Sequence, residues 1–170
     1  MPEEESTQAG TQEERVRNVF QDGPYINAAL LCESLLEEKN GLKSAVRIID
    51  RITRNVAAKD APDQMPPTPV ALTLFLRLKR GRSTVKHQLD ITLIKPNGER
   101  ATGSRMSVNL EGDEDGGTDI IAKLQLVVEQ EGLHWFEVVC DQFVMTRVPL
   151  RVVYLIQRQG SAAQPETVVQ

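Results

Sequence analysis

The sequence predicts an all-β fold, an antiparallel β-sandwich of about eight strands with one short helical turn. Three observations carry this reading. Apolar residues recur at every second position through most of the chain. Turn-forming residues interrupt that alternation about every 8 to 15 residues. No stretch of useful length keeps the 3.6-residue period of an amphipathic helix.

The elements follow in order. Residues 1–22 are rich in Glu, Gln, Thr and Gly, with almost nothing apolar before Val16 and Phe20. Such a segment cannot bury enough surface to offset its ordering entropy, so it reads as a disordered acidic tail. Residues 23–157 read as one sandwich domain, and 158–170 as a second disordered tail. Tyr25 to Cys32 is a short apolar strand. The following ESLLEEKNG, with Leu35 and Leu36 among acids, suggests one helical turn that Gly41 closes. Ser44 to Ile52 alternates again as a single strand. Asp50 interrupts its apolar face, which calls for a rim position or, more commonly, an arginine partner. Asn55 to Pro69 carries four prolines and reads as a long loop.

From Val70, Leu72, Leu74, Leu76 and Leu78 face one way, and Val85, Leu89, Ile91 and Leu93 repeat the pattern. Arg80-Gly81-Arg82-Ser83 between them reads as a hairpin connection. Pro96-Asn97-Gly98 is the strongest turn signal, because Asn-Gly accepts positive φ at little cost. A polar strand over Arg100 to Leu110 follows, then the acidic loop Glu111 to Asp119. The next strand turns Ile120, Ala122, Leu124, Leu126 and Val128 inward. The last two strands are Leu133 to Asp141 and Val144 to Ile156.

Two stretches carry a resemblance. INAALLCESLLEEKNGLKSAVRIIDRI, Ile26 to Ile52, resembles the opening of a bacterial family of small soluble domains of unknown function, through Cys32, Glu33, Gly41 and Ser44. EGLHWFEVVCDQFVMTRVPLRVVYL, Glu131 to Leu155, is similar to the closing hairpin of immunoglobulin-like sandwiches. The resemblance implies an immunoglobulin-like β-sandwich and no assigned activity.

Charge and cysteine usage narrow the function classes. The net charge of −4 equals that of residues 1–22, where six acids face two arginines. Residues 23–157 hold 17 acids and 17 bases, so the body is neutral. It lacks the broad positive field of a non-specific nucleic-acid binder, and no nucleic-acid partner is expected. No run approaches the ~18 apolar residues of a membrane helix. The N-terminus is acidic where a signal peptide is basic and then apolar, so a cytoplasmic location is expected. Two cysteines 108 positions apart form no disulfide framework and suit a reducing compartment.

No catalytic, cofactor or metal motif is present, and no enzyme activity is expected. His134 and Cys140 lie six residues apart on one strand, roughly 20 Å, too far to pair. His87 could meet Cys140 or Cys32 across strands, but the sequence does not place them together. Both cysteines read as buried structural thiols. The acids Asp113, Glu114, Asp115 and Asp119 interleave with glycines as a calcium loop would. They lack EF-hand spacing and too few oxygens gather for a hard cation, so a mobile, ion-free loop is expected.

The basic residues are more suggestive. Arg47, Arg51, Arg77, Lys79, Arg147 and Arg151 fall at outward strand positions, and Phe75, Trp135 and Val139 also read as outward. Trp with Arg is the composition of an interaction hot spot. The sequence therefore predicts a non-enzymatic protein-interaction module of an intracellular bacterial protein, meeting an acidic partner through Arg47, Arg51, Arg77, Lys79, Trp135, Arg147 and Arg151. The alternative is a sandwich that binds calcium or sugar, the latter weakened by the scarcity of aromatic residues.

Overall fold

The structure, a computed structural model, describes residues 23–157 apart from Val85 and Thr102. The expectations for residues 1–22 and 158–170 lie outside the described residues.

Nine strands build two facing sheets. The four-stranded sheet has the order β2-β1-β4-β7, made by β2 (Lys43–Ile48), β1 (Tyr25–Glu37), β4 (Thr68–Lys79) and β7 (Gly117–Val128). The five-stranded sheet has the order β3-β9-β8-β5-β6, made by β3 (Arg51–Ala57), β9 (Phe143–Gln157), β8 (Gly132–Cys140), β5 (His87–Ile94) and β6 (Ser104–Val108). All neighbours are antiparallel except β3 and β9, which run parallel with Arg51 beside Arg151 and Val56 beside Ile156. This is an immunoglobulin-like β-sandwich. No helix of the described residues is long and apolar enough to cross a membrane.

The alternating pattern explains the core. Leu72, Leu74, Leu76 and Leu78 of β4 meet Leu89 and Ile91 of β5, Phe136 and Val138 of β8, and Val148 and Leu150 of β9 in one cluster. At roughly 1.5–3 kcal/mol for each buried large side chain, this layer is the main stabilising term. Ile120 and Val128 of β7 are buried and Ala122, Leu124 and Leu126 half-buried, as the alternation requires.

Four local readings change. The stretch read as a helical turn continues β1 to Glu37, because it pairs with β2 through Leu35 opposite Ala45 and Leu36 opposite Ser44. Gly41 belongs to the β1–β2 hairpin turn, its N–H donating to Glu38 O at 2.9 Å. The helical turn that exists is a 3₁₀ turn at Ala58–Asp60, inside the expected loop. The single strand expected over Ser44 to Ile52 is two strands in different sheets, and Asp50 sits exposed where the chain crosses. Its backbone carbonyl accepts from Arg151 N at 2.8 Å. Finally, Arg80 to Ser83 is no hairpin. It carries the chain from β4 in one sheet to β5 in the other. Period-two alternation names a strand and its buried face, but it does not say which of two sheets the strand joins.

The turn at Asn97-Gly98 is as expected: Gly98 takes φ +84°, and its N–H donates to Lys95 O at 2.9 Å. Gly117 is needed for close approach, since a Cβ there would lie 2.0 Å from the Leu78 carbonyl oxygen.

The acidic loop, expected to be mobile, is hydrogen-bonded to the segment after β4. Arg80 N donates to Gly116 O at 2.8 Å, Gly81 N to Glu114 O at 3.0 Å, and Lys79 Nζ to Asp115 O at 2.5 Å. The Arg80 guanidinium also reaches Gly112 O, and Arg82 pairs with Glu114 at 3.3 Å. The crossover after β4 therefore holds the loop through its backbone carbonyls, with Arg82–Glu114 as the ion pair among these contacts.

Candidate functional site

One end of the sandwich gathers side chains from three separate segments. The β8–β9 hairpin turns on Asp141 and Gln142, both at positive φ (46° and 76°), as a two-residue hairpin of this twist requires. Asp141 is clamped to β5. Its N–H donates to Gln88 O at 3.0 Å, and its Oδ1 accepts from Gln88 N at 2.8 Å. That clamp aims Oδ2 at His87 Nδ1, 2.6 Å away. On the other side of the ring, His87 Nε2 lies 2.6 Å from Ser83 Oγ on the crossover. His87 is 4% exposed, whereas the Asp141 side chain is 44% exposed, so the cluster has a buried and an open side.

Cys140 stands beside this chain of hydrogen bonds. It pairs with Leu89, two positions after His87. His87, Cys140 and Asp141 place one donor atom each, an imidazole nitrogen, a sulfur and a carboxylate oxygen, within 4.8 Å of one another. Among the described residues this is the group of three such side chains that could hold a metal ion. Burial, and secondarily the Asp141 charge, push the Cys140 thiol up to about 11. The Asp141 carboxyl is held below its ordinary value by the Gln88 N–H and by His87.

The cluster has two chemical readings. With Nδ1–H donating to the Asp141 carboxylate, Nε2 is placed to accept from the Ser83 hydroxyl. That is the order of a Ser-His-Asp relay, which also needs a substrate cleft and oxyanion donors. The four hollows described in this domain are lined by other residues, and Ser83 N donates to Arg80 O at 3.3 Å. The second reading, a metal centre, needs only the donors already present.

Of the residues expected from the sequence to bind a partner, four come together. Arg51, Trp135, Arg147 and Arg151 lie on the outer face of the five-stranded sheet, where Leu133 is opposite Arg151, Trp135 opposite Pro149 and Glu137 opposite Arg147. Arg77 and Lys79 belong to β4 in the other sheet and line a hollow of about 540 Å³ with Lys43 and Asp119. Arg47, at φ 51° on β2, pairs with Glu33 at 2.5 Å. Phe75, read as outward, is 7% exposed, and the Arg77 guanidinium lies 5.6 Å from its ring centre.

Sequence reasoning allowed His87 to meet Cys140 or Cys32 without placing them together, and it missed Ser83 and Asp141. Cys32 lies in β1, opposite Ile48 and Thr73, in the other sheet. The available signal was Cys-Asp-Gln at a two-residue hairpin, where an Asp at positive φ marks a turn held by its own side chain. His134 is buried with Nδ1 unpaired, and burial lowers its pKa.

The fold defines a small all-β sandwich domain. Residues 27–153 match the profile of DUF6941, a family of unknown function, and the chain belongs to that family. No curated protein matches it. Three solved structures are similar in chain course. One is an immunoglobulin-like protein from Pseudomonas aeruginosa (11% identity, 78% of this chain and 98% of that chain, TM-score 0.37). Another is a CARDB domain from Pyrococcus furiosus in complex with di-metal ions (8% identity, 80% and 96%, TM-score 0.38). The third is an alkylpurine DNA glycosylase from Pseudomonas fluorescens bound to DNA containing an abasic site analog (10% identity, 74% and 30%, TM-score 0.34).

Proposed function

We propose that this domain is a non-enzymatic ion-binding β-sandwich whose ion is a thiophilic divalent cation of the zinc type, held by His87, Cys140 and Asp141. The observation that carries the proposal is the convergence of nitrogen, sulfur and oxygen donors within 4.8 Å. Zinc takes such mixed sets at about 2.0–2.3 Å per bond, so its ligand atoms stand roughly 3.3–3.8 Å apart. To reach that spacing the His87–Asp141 hydrogen bond of 2.6 Å must open as the ion takes its place, with solvent in the fourth position on the exposed side of Asp141.

Calcium is the poorer occupant, because a hard cation wants six to eight oxygens and the cluster offers one carboxylate. Nor do the four hollows offer a sugar ring an aromatic platform, since none is lined by Phe, Tyr or Trp. With the thiol raised to about 11, zinc must displace a proton on binding, and affinity rises with pH.

Titration of zinc into the reduced full-length chain against a chromophoric chelator tests this. One equivalent should bind at low micromolar concentration or tighter, and Asp141→Asn and Cys140→Ser should each weaken it roughly tenfold or more. Absence of stoichiometric binding, or undiminished affinity in Cys140→Ser, removes the proposal. A second reading, a module that binds a protein partner, is favoured by the arginines and Trp135 on the outer face of the five-stranded sheet.

A further inference from the structure

We propose that the outer face of the five-stranded sheet binds an extended acidic peptide of the pattern acid-x-apolar-x-acid. The inference stands apart from the metal centre, which lies at one end of the sandwich.

Two observations on this face point to an anionic partner. Arg51 and Arg151 are register neighbours on parallel strands, both exposed, and among the described residues neither side chain has a carboxylate partner. Like charges side by side on a sheet repel. An anion on that spot would relieve the repulsion. The second observation is Glu137. It belongs to the outer row of β8, yet its side chain is 1% exposed, covered by two guanidinium groups. Arg147 Nε and Nη2 reach Oε2 at 2.8 and 2.7 Å, and Arg100 reaches Oε1 with both terminal nitrogens. Two arginines share one carboxylate, so the group keeps a net positive charge. The forks are also held in place while half their surface stays in water (53% and 54% exposed). Fixed guanidinium groups lose little entropy when they take a further carboxylate.

Spacing sets the pattern. Arg147, Pro149 and Arg151 alternate on one face of β9, so the two arginine groups lie about 13 Å apart at the rise of a strand. Trp135 stands opposite Pro149 between them. An extended peptide repeats with the same rise, so acids at i and i+4 meet the two groups and an apolar residue at i+2 meets Trp135. Nucleic acid fits this face less well, because residues 23–157 hold 17 acids and 17 bases and lack the broad positive field that a polyphosphate chain needs.

Trp135 is the chain's sole tryptophan, so its fluorescence reads the face directly. The full-length chain is titrated at physiological salt with a capped peptide containing Glu-Thr-Leu-Thr-Glu, with Glu-Glu-Leu-Thr-Thr, and with a thymidine oligonucleotide. The first peptide should shift the emission saturably and bind at least fivefold more tightly than the second. Arg151→Glu, which leaves the Glu137 group intact, should weaken it tenfold or more. Arg82→Glu, on the distant crossover, should not change it. No saturable shift, equal affinity for both peptides, equal loss in Arg82→Glu, or tighter binding of the oligonucleotide would each overturn the proposal.

Discussion

The two outer faces of the sandwich carry similar numbers of basic residues and treat them differently. On the four-stranded sheet Lys43, Arg47 and Arg77 have carboxylate partners, Lys79 donates to a backbone carbonyl, and Lys123 has no carboxylate partner among the described residues. Asp119, with a side chain 16% exposed, accepts from Arg77 Nε and Nη2 at 2.7 and 2.9 Å and from Lys43 at 3.1 Å, and Arg47 takes Glu33. On the five-stranded sheet Arg105 takes Asp90, Arg100 and Arg147 share Glu137, and Arg51 and Arg151 have no carboxylate among the described residues. A count of charges along the chain treats the two faces alike. The difference lies in pairing, which the register of the strands decides, and it singles out one face as the place where an anion would lower the free energy.

The largest effect should come from Glu137→Gln, which removes the shared carboxylate. The arginines left behind are half exposed and regain water, so the loss should be about 1–2 kcal/mol in urea unfolding, below the usual figure for a fully buried pair. Asp119→Asn should cost about 1 kcal/mol for the same reason. It should also leave Arg77 uncompensated and Lys43 with Glu37 alone, so that the two faces come to resemble each other more closely in peptide titrations. If Asp119→Asn is neutral and Glu137→Gln is neutral too, the distinction between paired and unpaired faces has no energetic content.

Acid sharpens the comparison. The Arg77 guanidinium, with Lys43 behind it, holds Asp119 below its ordinary 3.8. A depressed carboxyl contributes stability that is fully present above 3.8 and is lost as pH falls through the folded value. His134 acts earlier. Burial lowers its pKa below 6.5, so the unfolded chain takes up its proton first and stability declines as pH drops below 6.5. Thermal melts from pH 7 to 3 should show both declines, and His134→Gln should remove the earlier one.

The smallest effects are the most diagnostic of pairing. Arg151→Glu should raise stability by a few tenths of a kcal/mol, because it turns a repulsive neighbour of Arg51 into an attractive one. Millimolar calcium should leave the melting temperature unchanged, since a hard cation needs six to eight oxygens and the acids before β7 lack the spacing of a calcium loop.

Much of the fold was legible because alternation is a local signal. Leu72 to Leu78 and Phe136 to Cys140 each declared their buried face, and Asn97-Gly98 declared its turn. Errors arose where topology is non-local. The crossing at Asp50 and the passage from Arg80 to Ser83 look like strand and hairpin in sequence, and only the partition into two sheets separates them. The end cluster failed for the same reason. Ser83, His87 and Asp141 span 58 positions and meet because β5 lies beside β8, a pairing that no residue announces. The outer arginines fared better, since outward positions follow from alternation, though the division of Arg77 and Lys79 from Arg147 and Arg151 between two faces did not.

The metal proposal rests on the sulfur of Cys140, and cobalt(II) reports on sulfur directly. The reduced full-length chain should bind one equivalent of cobalt(II) with a thiolate-to-metal charge-transfer band in the near ultraviolet. Zinc should abolish that band by displacement, and Cys140→Ser should lack it. Cobalt binding without the band, or no binding by a folded wild-type chain, would contradict a metal centre at His87, Cys140 and Asp141.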